Sequence, residues 1–206
     1  METHMENNKM LYSHVSVDCV LLGVNEDKLC VLLVERKIDK SDEKHYKLPG
    51  SLIFENEDLD TAAYRVFNEA TGLKRVPLKQ FRSFGSPSRT KNKDDMQWLE
   101  NAMKLKIERI VTVAYLALSK IGRKSNPTNK YNSLAWFPVD ALPSLPFDHK
   151  EIIEAAVEEI REWVEKEPSI IFDYLPLKFT AYQLRRTYEI IYNKEMDVRN
   201  FHKKMG

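Results

Sequence analysis

The sequence predicts an α+β chain in which strands come early and helices late. Three observations carry that prediction. Val- and Leu-rich runs at 15–24 and 29–35 flank Gly23-Val24-Asn25-Glu26-Asp27, whose turn chemistry joins two strands in a hairpin. Helical apolar spacing recurs between Asp58 and Gly72 and again after Asp148. Residues 176–206 read as a helix-turn-helix.

The elements follow in order. A polar loop at 37–45 leads into a strand at 46–53. Asp58 and Asp60 then open a helix, where carboxylates favour the N-terminal dipole; Ala62, Ala63, Val66, Phe67 and Ala70 lie inside it and Gly72 stops it. Strands are expected at 79–85 and 107–118. Between them, 86–95 reads as a polar loop, and Asp94, Asp95 and Glu100 as solvated charges. Residues 96–104 form a short helix with Trp98, Leu99, Ala102 and Met103 on one face. A strand at 134–139 precedes a helix opened by a capping-box pair, Asp148 and Glu151, and running to about residue 166 with Ile152, Ala156, Ile160, Trp163 and Val164 inward. The proline-bounded stretch 165–175 reads as a junction, dividing the chain into residues 1–166 and 167–206.

In the second part Thr180 is an N-cap, Gln183 completes a capping box, and Phe179 is placed to staple onto Leu184. Ala181, Leu184, Tyr188 and Ile191 make one stripe, with Arg185 and Arg186 outside it. After a turn-length stretch, Asp197 caps a second helix whose inward residues are Val198, Phe201 and Met205. Seven basic residues (Lys178, Arg185, Arg186, Lys194, Arg199, Lys203, Lys204) face three acidic ones between 176 and 206, so the remainder of a chain of formal charge +1 is acidic. Such a face suits duplex DNA. Arg199, Asn200 and Lys203 are the expected base readers, with His202 beside them, and Lys178, Arg185, Arg186 and Lys204 the phosphate contacts.

The balance of 43% apolar and 31% charged residues is that of a folded soluble chain rather than a disordered one. Cys19 and Cys30 sit in apolar runs and read as buried free thiols, which fits a reducing, cytoplasmic setting. No apolar run reaches membrane-span length, and the N-terminus lacks a signal-peptide core. The five histidines show no ligand spacing, so neither a metal nor another cofactor is expected, and His149 reads as a first-turn helix residue.

The segment from Leu48 to Leu73, LPGSLIFENEDLDTAAYRVFNEATGL, closely resembles a Nudix box, G-x5-E-x7-R-E-U-x-E-E-x-G-U with U apolar. Glu57, Arg65, Phe67, Glu69, Gly72 and Leu73 match; Gly50 matches with one extra residue before Glu57. The departures are Val66 and Ala70, which stand where the pattern has glutamates. In Nudix hydrolases those glutamates hold divalent metal at a diphosphate. Mg²⁺ needs a near-octahedral oxygen shell, and the 66, 69, 70 patch offers one carboxylate instead of three. Metal-dependent hydrolysis, and with it any catalytic residue, is therefore not expected. Arg65 and Glu69, at i and i+4, are expected to pair for structure.

Together with LPLKFTAYQLRRTYEIIYNKEMDVRNFHKK at 175–204, this box makes the chain similar to the Nudix-related transcriptional regulators, the NrtR-like family with its sugar-responsive arabinose-regulator branch. The resemblance implies an N-terminal Nudix-like α/β/α sandwich with a mixed sheet and a C-terminal winged helix. The wing reads as truncated, because the sequence stops at Gly206. It further implies a homodimeric repressor or activator that binds double-stranded operator DNA and senses a pentose such as L-arabinose or an ADP-ribose-like nucleotide. The implied effector rim is Arg36, Tyr46, Glu57, Glu69 and Arg82. The competing expectation is a Nudix hydrolase of a nucleoside diphosphate derivative with a non-standard metal set.

Overall fold

The computed structural model describes residues 11–25, 27–38, 43–73, 76–121 and 133–205, with the side chains of 11–13, 120 and 202–205 outside that description. Strands β1 (Leu11–Asn25) and β2 (Lys28–Arg36) form the expected hairpin, with Asn25 opposite Lys28. The expected strand at 46–53 is two strands, β3 (His45–Lys47) and β4 (Gly50–Phe54), because Leu48-Pro49 interrupts the ladder: Pro49 has no amide hydrogen to donate. Helix α1 (Leu59–Thr71) starts where predicted, the Asp58 carboxylate accepting the Thr61 N–H at 2.7 Å. It ends at Gly72, whose φ of 71° is the left-handed conformation that closes helices.

β5 (Lys79–Phe84) leads to a 3-10 turn (Pro87–Thr90) and to α2 (Lys93–Met103), which begins earlier than expected because Asn92 caps it through the amides of Asp94 and Asp95. β6 (Val111–Lys120) is shorter at its start than the apolar pattern implied; Ile107 and Ile110 are buried against Leu52 beneath α2 instead of pairing in the sheet. β7 (Leu134–Pro138) and α3 (His149–Lys166) complete the first body. The capping box at the start of α3 does not form: the Asp148 side chain makes no cap bond and is taken by Arg89 instead.

The sheet is mixed, with strand path β3-β2-β1-β6-β5, β4 pairing with β1 and β7 with β2; only β1 and β6 run parallel. Alternation along β1 sorts its side chains. Val17, Cys19 and Leu21 face α1, and Val20 and Leu22 face α3. These two cores make the α/β/α sandwich. No helix among the described residues is long and apolar enough to cross a membrane.

The segment expected to be a junction is packed. Residues Pro168–Tyr174 form a 3-10 helix that buries Ile170, Ile171 and Tyr174. Helices α4 (Ala181–Tyr192) and α5 (Val198–Met205) then follow, and Tyr188, Ile191 and Phe201 join the apolar cluster that contains Ile160 and Val164 of α3. The helix-turn-helix thus shares one core with the α3 face of the sandwich.

Candidate functional site

Asp18 is the lone carboxylate of the central strand β1, and its surroundings define the site. It is buried, and its Oδ2 accepts the Thr112 hydroxyl at 2.7 Å and Arg89 Nη2 at 3.2 Å. Arg89 Nη1 reaches Asp148 at 2.5 Å, so one buried guanidinium holds two carboxylates. His149 Nδ1 accepts the Leu48 N–H at 3.1 Å, which leaves Nε2 to carry the proton, 3.6 Å from Asp18 Oδ1. Burial lowers the His149 pKa to about 4, although Asp18 opposes this, so the ring is neutral at pH 7. Burial alone would raise Asp18. The charged form of His149, Arg89, the Thr112 hydroxyl and Lys47 together outweigh it and hold the carboxyl below its usual range. Asp148 goes the other way, raised by burial and by Asp18 against the pull of Arg89.

Asp18, Lys47, Arg89 and His149 line a cavity of about 170 Å³, walled by Trp98, Leu99, Ala102 and Met103 of α2. Ser16 Oγ and Arg89 Nε belong to lining residues, are buried, and have no hydrogen-bond partner among the described residues. Gly50 makes the close approach possible, because a Cβ there would collide with the Asp18 carboxylate. Lys47, with its pKa lowered by burial, donates to the carbonyls of Leu48 at 3.1 Å and Gly50 at 2.9 Å.

A second cleft on the α1 side shares Lys47, Gly50, Ser51 and Trp98 with this cavity, and adds Arg36, Val66, Glu69 and Ala70. Arg36 is buried and stacks on Trp98, 4.3 Å from the ring centroid, while its Nη1 binds Asp95 at 2.6 Å. Asp95 is therefore no solvated loop charge: its other oxygen accepts the Phe147 N–H at 3.1 Å, which ties α2 to the start of α3. Asp94 is exposed as expected, and Glu100 accepts the Ile107 N–H at 2.9 Å.

Of the five expected rim residues the structure brings together Arg36 and Glu69. Glu57 is engaged by Arg65 through both oxygens and accepts the Phe54 N–H at 2.7 Å; Arg65 also bonds the Leu52 carbonyl and Glu69. Tyr46 and Arg82 lie outside both clefts. Tyr46 packs edge-on against Phe137 at 4.7 Å within the α3-side core, and Arg82 faces Glu158 of α3 at 3.9 Å. The strand alternation that puts Lys47 at the cleft sends Tyr46 to the other face.

The α1 face does not fit the metal cluster of a Nudix box. Val66 is buried and apolar, Ala70 offers no donor, and Glu57 is committed to Arg65. Among the described residues no group of three or more His, Cys, Asp or Glu side chains is placed to hold a metal ion.

In the helix-turn-helix, Thr180 and Gln183 form the expected reciprocal capping box, while Phe179 stacks on Phe172 at 5.5 Å. Glu189, outside the apolar stripe of α4, is buried. It accepts Arg185 at 2.9 Å, Arg186 at 3.2 Å and the Met196 N–H at 3.0 Å, fastening the turn to α4. The Met196 N–H and the two arginines hold its pKa below the ordinary glutamate value. Arg186 also reaches Asp27 on the hairpin at 3.0 Å. Asp197 caps α5 through the Asn200 N–H at 2.9 Å, and Phe201 is buried, but Val198 is about half exposed rather than inward. Arg199, Asn200 and Lys178 are exposed; the side chains of His202, Lys203, Lys204 and Met205 lie outside the described residues.

The fold and helix α1, within the segment from Glu57 to Gly72, define a class: residues 12–157 match the NUDIX domain and the chain belongs to that family. Residues 171–206 match the NrtR DNA-binding winged helix domain. The ADPR responsive transcriptional repressor NtrR of Acinetobacter baylyi is 24% identical over 93% of this chain and 71% of its own length. Among solved structures, a MutT/nudix family protein from Enterococcus faecalis is similar at a TM-score of 0.70, with 25% identity over 99% of this chain and 83% of that one. The NUDIX domain of Shewanella oneidensis NrtR complexed with ADP ribose gives 0.53, with 26% identity over 72% and 89%.

Proposed function

We propose that this chain is an effector-responsive transcriptional repressor that binds double-stranded operator DNA as a homodimer and catalyses no reaction. The observation that carries this reading is the union, in one chain, of a NUDIX domain whose helix has Val66 and Ala70 in place of carboxylates with a DNA-binding winged helix domain. Residues 1–166 form the sensing part and 167–206 the DNA-binding part. Arg199, Asn200 and Lys203 read base edges, with His202, Lys178 and Lys204 around them. Arg185 and Arg186, engaged by Glu189, offer less to phosphate than their sequence suggests.

The effector is an ADP-ribose-like nucleotide or a pentose such as L-arabinose, bound over Arg36 and Glu69 and into the cavity behind Trp98. That cavity is smaller than the roughly 300–1,000 Å³ of pockets for larger ligands. It admits a small sugar whole, or one end of a nucleotide whose remainder lies in the outer cleft. Titration of genomic DNA fragments selected on the purified protein, with and without ADP-ribose or L-arabinose, tests the reading. A true effector raises the melting temperature by mass action and changes DNA affinity. Mg²⁺-dependent turnover of ADP-ribose by a protein that binds no duplex would establish the hydrolase instead.

A further inference from the structure

We propose that α3 is the element through which the state of the cavity reaches the DNA-binding helices, with Arg161 as the positioning residue at the receiving end. This rests on the effector-responsive reading and adds the route.

α3 is one 18-residue helix, about 27 Å long, and different residues near its two ends are fixed to different bodies. Its start is part of the cavity wall. Asp148 is held by Arg89, His149 receives the Leu48 amide beside Asp18, and Phe147, in the left-handed region at φ 54°, is bonded by Asp95 of the α2 cover. A ligand that displaces α2 or rearranges the Asp18–Arg89–Asp148 cluster therefore acts on the first turn of α3.

About three turns of helix lie between His149 and Arg161, and the far part of α3 grips α4. Arg161 Nε donates to the Ile191 carbonyl at 2.8 Å, and the Tyr192 hydroxyl donates back to the Arg161 carbonyl at 3.1 Å. The Ile191 carbonyl is among the last of α4, which lack partners within their own helix, so Arg161 completes the helix end. Directly beyond it, Asn193 takes the left-handed conformation at φ 49°, and the chain turns toward α5. A shift of α3 is thus delivered to the residues that set the angle between α4 and α5.

A competing route runs along β1 from Asp18 to the hairpin tip and through Asp27 to Arg186. That pair is exposed, the Asp27 side chain being 72% accessible, and an exposed ion pair transmits little because water and salt screen it. The Arg161 clasp is half-buried and adjoins Ile160, Val164 and Ile191, which are fully or almost fully buried.

Hydrogen–deuterium exchange of the full chain, followed at residues 181–192, tests this without DNA or effector, so its outcome is separate from that of the regulator reading. Asp148→Asn, which loosens the start of α3, accelerates exchange in that segment by roughly 2- to 30-fold. In an Arg161→Met background it adds nothing further, and Arg161→Lys, which keeps a donor for Ile191, restores the response. A peptide from α1 stays at the parent rate throughout; where it does not, His149→Gln replaces Asp148→Asn in the same comparison. Equal acceleration in both backgrounds, or none at 181–192 while the first turn of α3 is loosened, overturns the proposal.

Discussion

Replacing Arg89 with methionine isolates the energetic role of the buried charge cluster. Arg89 and Asp18 side chains are each 5% exposed and that of Asp148 9%, so the variant leaves two carboxylates facing each other in a water-poor site with Lys47, the Thr112 hydroxyl and the neutral His149 ring nearby but no guanidinium between them. Removing one partner of a buried pair costs about 3–5 kcal/mol. Against a total stability of about 5–15 kcal/mol this is a large share. At about 2–4 °C per kcal/mol for a chain of this size, the melting temperature falls by roughly 6–20 °C.

The loss depends on pH in a direction that can be worked out. Without Arg89 the folded-state pKa values of both carboxyls rise above the unfolded value of about 3.9. A carboxyl so raised favours the fold at low pH and loses that contribution as pH rises through its folded pKa. The difference between parent and variant is therefore smaller at pH 5 than at pH 7.5. Urea denaturation at the two pH values measures it. A loss below about 1 kcal/mol at pH 7.5, or one that is the same at both, refutes the assignment of Arg89 as the counter-charge of a desolvated carboxylate pair.

Thr180→Ala removes one half of the capping box and lowers stability by about 0.5–2 kcal/mol, seen in the same urea experiment, with faster exchange confined to the first turn of α4. Cys19 and Cys30 are buried, and burial pushes both thiols above their ordinary values, Cys19 far above; a thiol reagent at pH 8 labels them at the rate of unfolding and both at once in denaturant. Immediate labelling of two thiols in the native chain would contradict their placement. Arg199→Ala weakens duplex binding by about 1–3 kcal/mol in anisotropy titrations without changing the melting temperature; unchanged affinity removes it from the reading face.

What the sequence made legible is what a few neighbouring residues decide. The helix start at Asp58, the Gly72 stop, the Thr180–Gln183 box and the Asp197 cap are all decided locally, and each is found where it was read, Asp58 acting as the cap itself. The cavity was not legible, because Arg89 meets Asp18 across 71 positions and Asp148 across 59, and no spacing rule spans such distances. Two local readings failed for the same reason: Arg89 outcompeted the α3 amides for Asp148, and Arg36 took Asp95 out of solvent. One signal was present and unused. A single aspartate beside Val and Cys in a central strand has to be compensated from elsewhere in the chain, and Arg89, Thr112 and His149 are what the fold brings to it. Glu189 carried no such signal, since its helical face looks polar until Met196 folds back onto it.

The absence of a side chain at position 50 has a consequence for how this protein can change. Gly50 is not there for backbone freedom, since its φ is ordinary; it leaves room for an oxygen of Asp18. Alanine at 50 therefore evicts that oxygen, whereas a smaller residue at 18 removes the main clash and leaves the Val17 carbonyl, 3.1 Å from such a Cβ, to give by a few tenths of an ångström. Substitution at these two sites is permitted in one order and blocked in the other, so the most familiar glycine of the loop is held in place by an acid on the neighbouring strand.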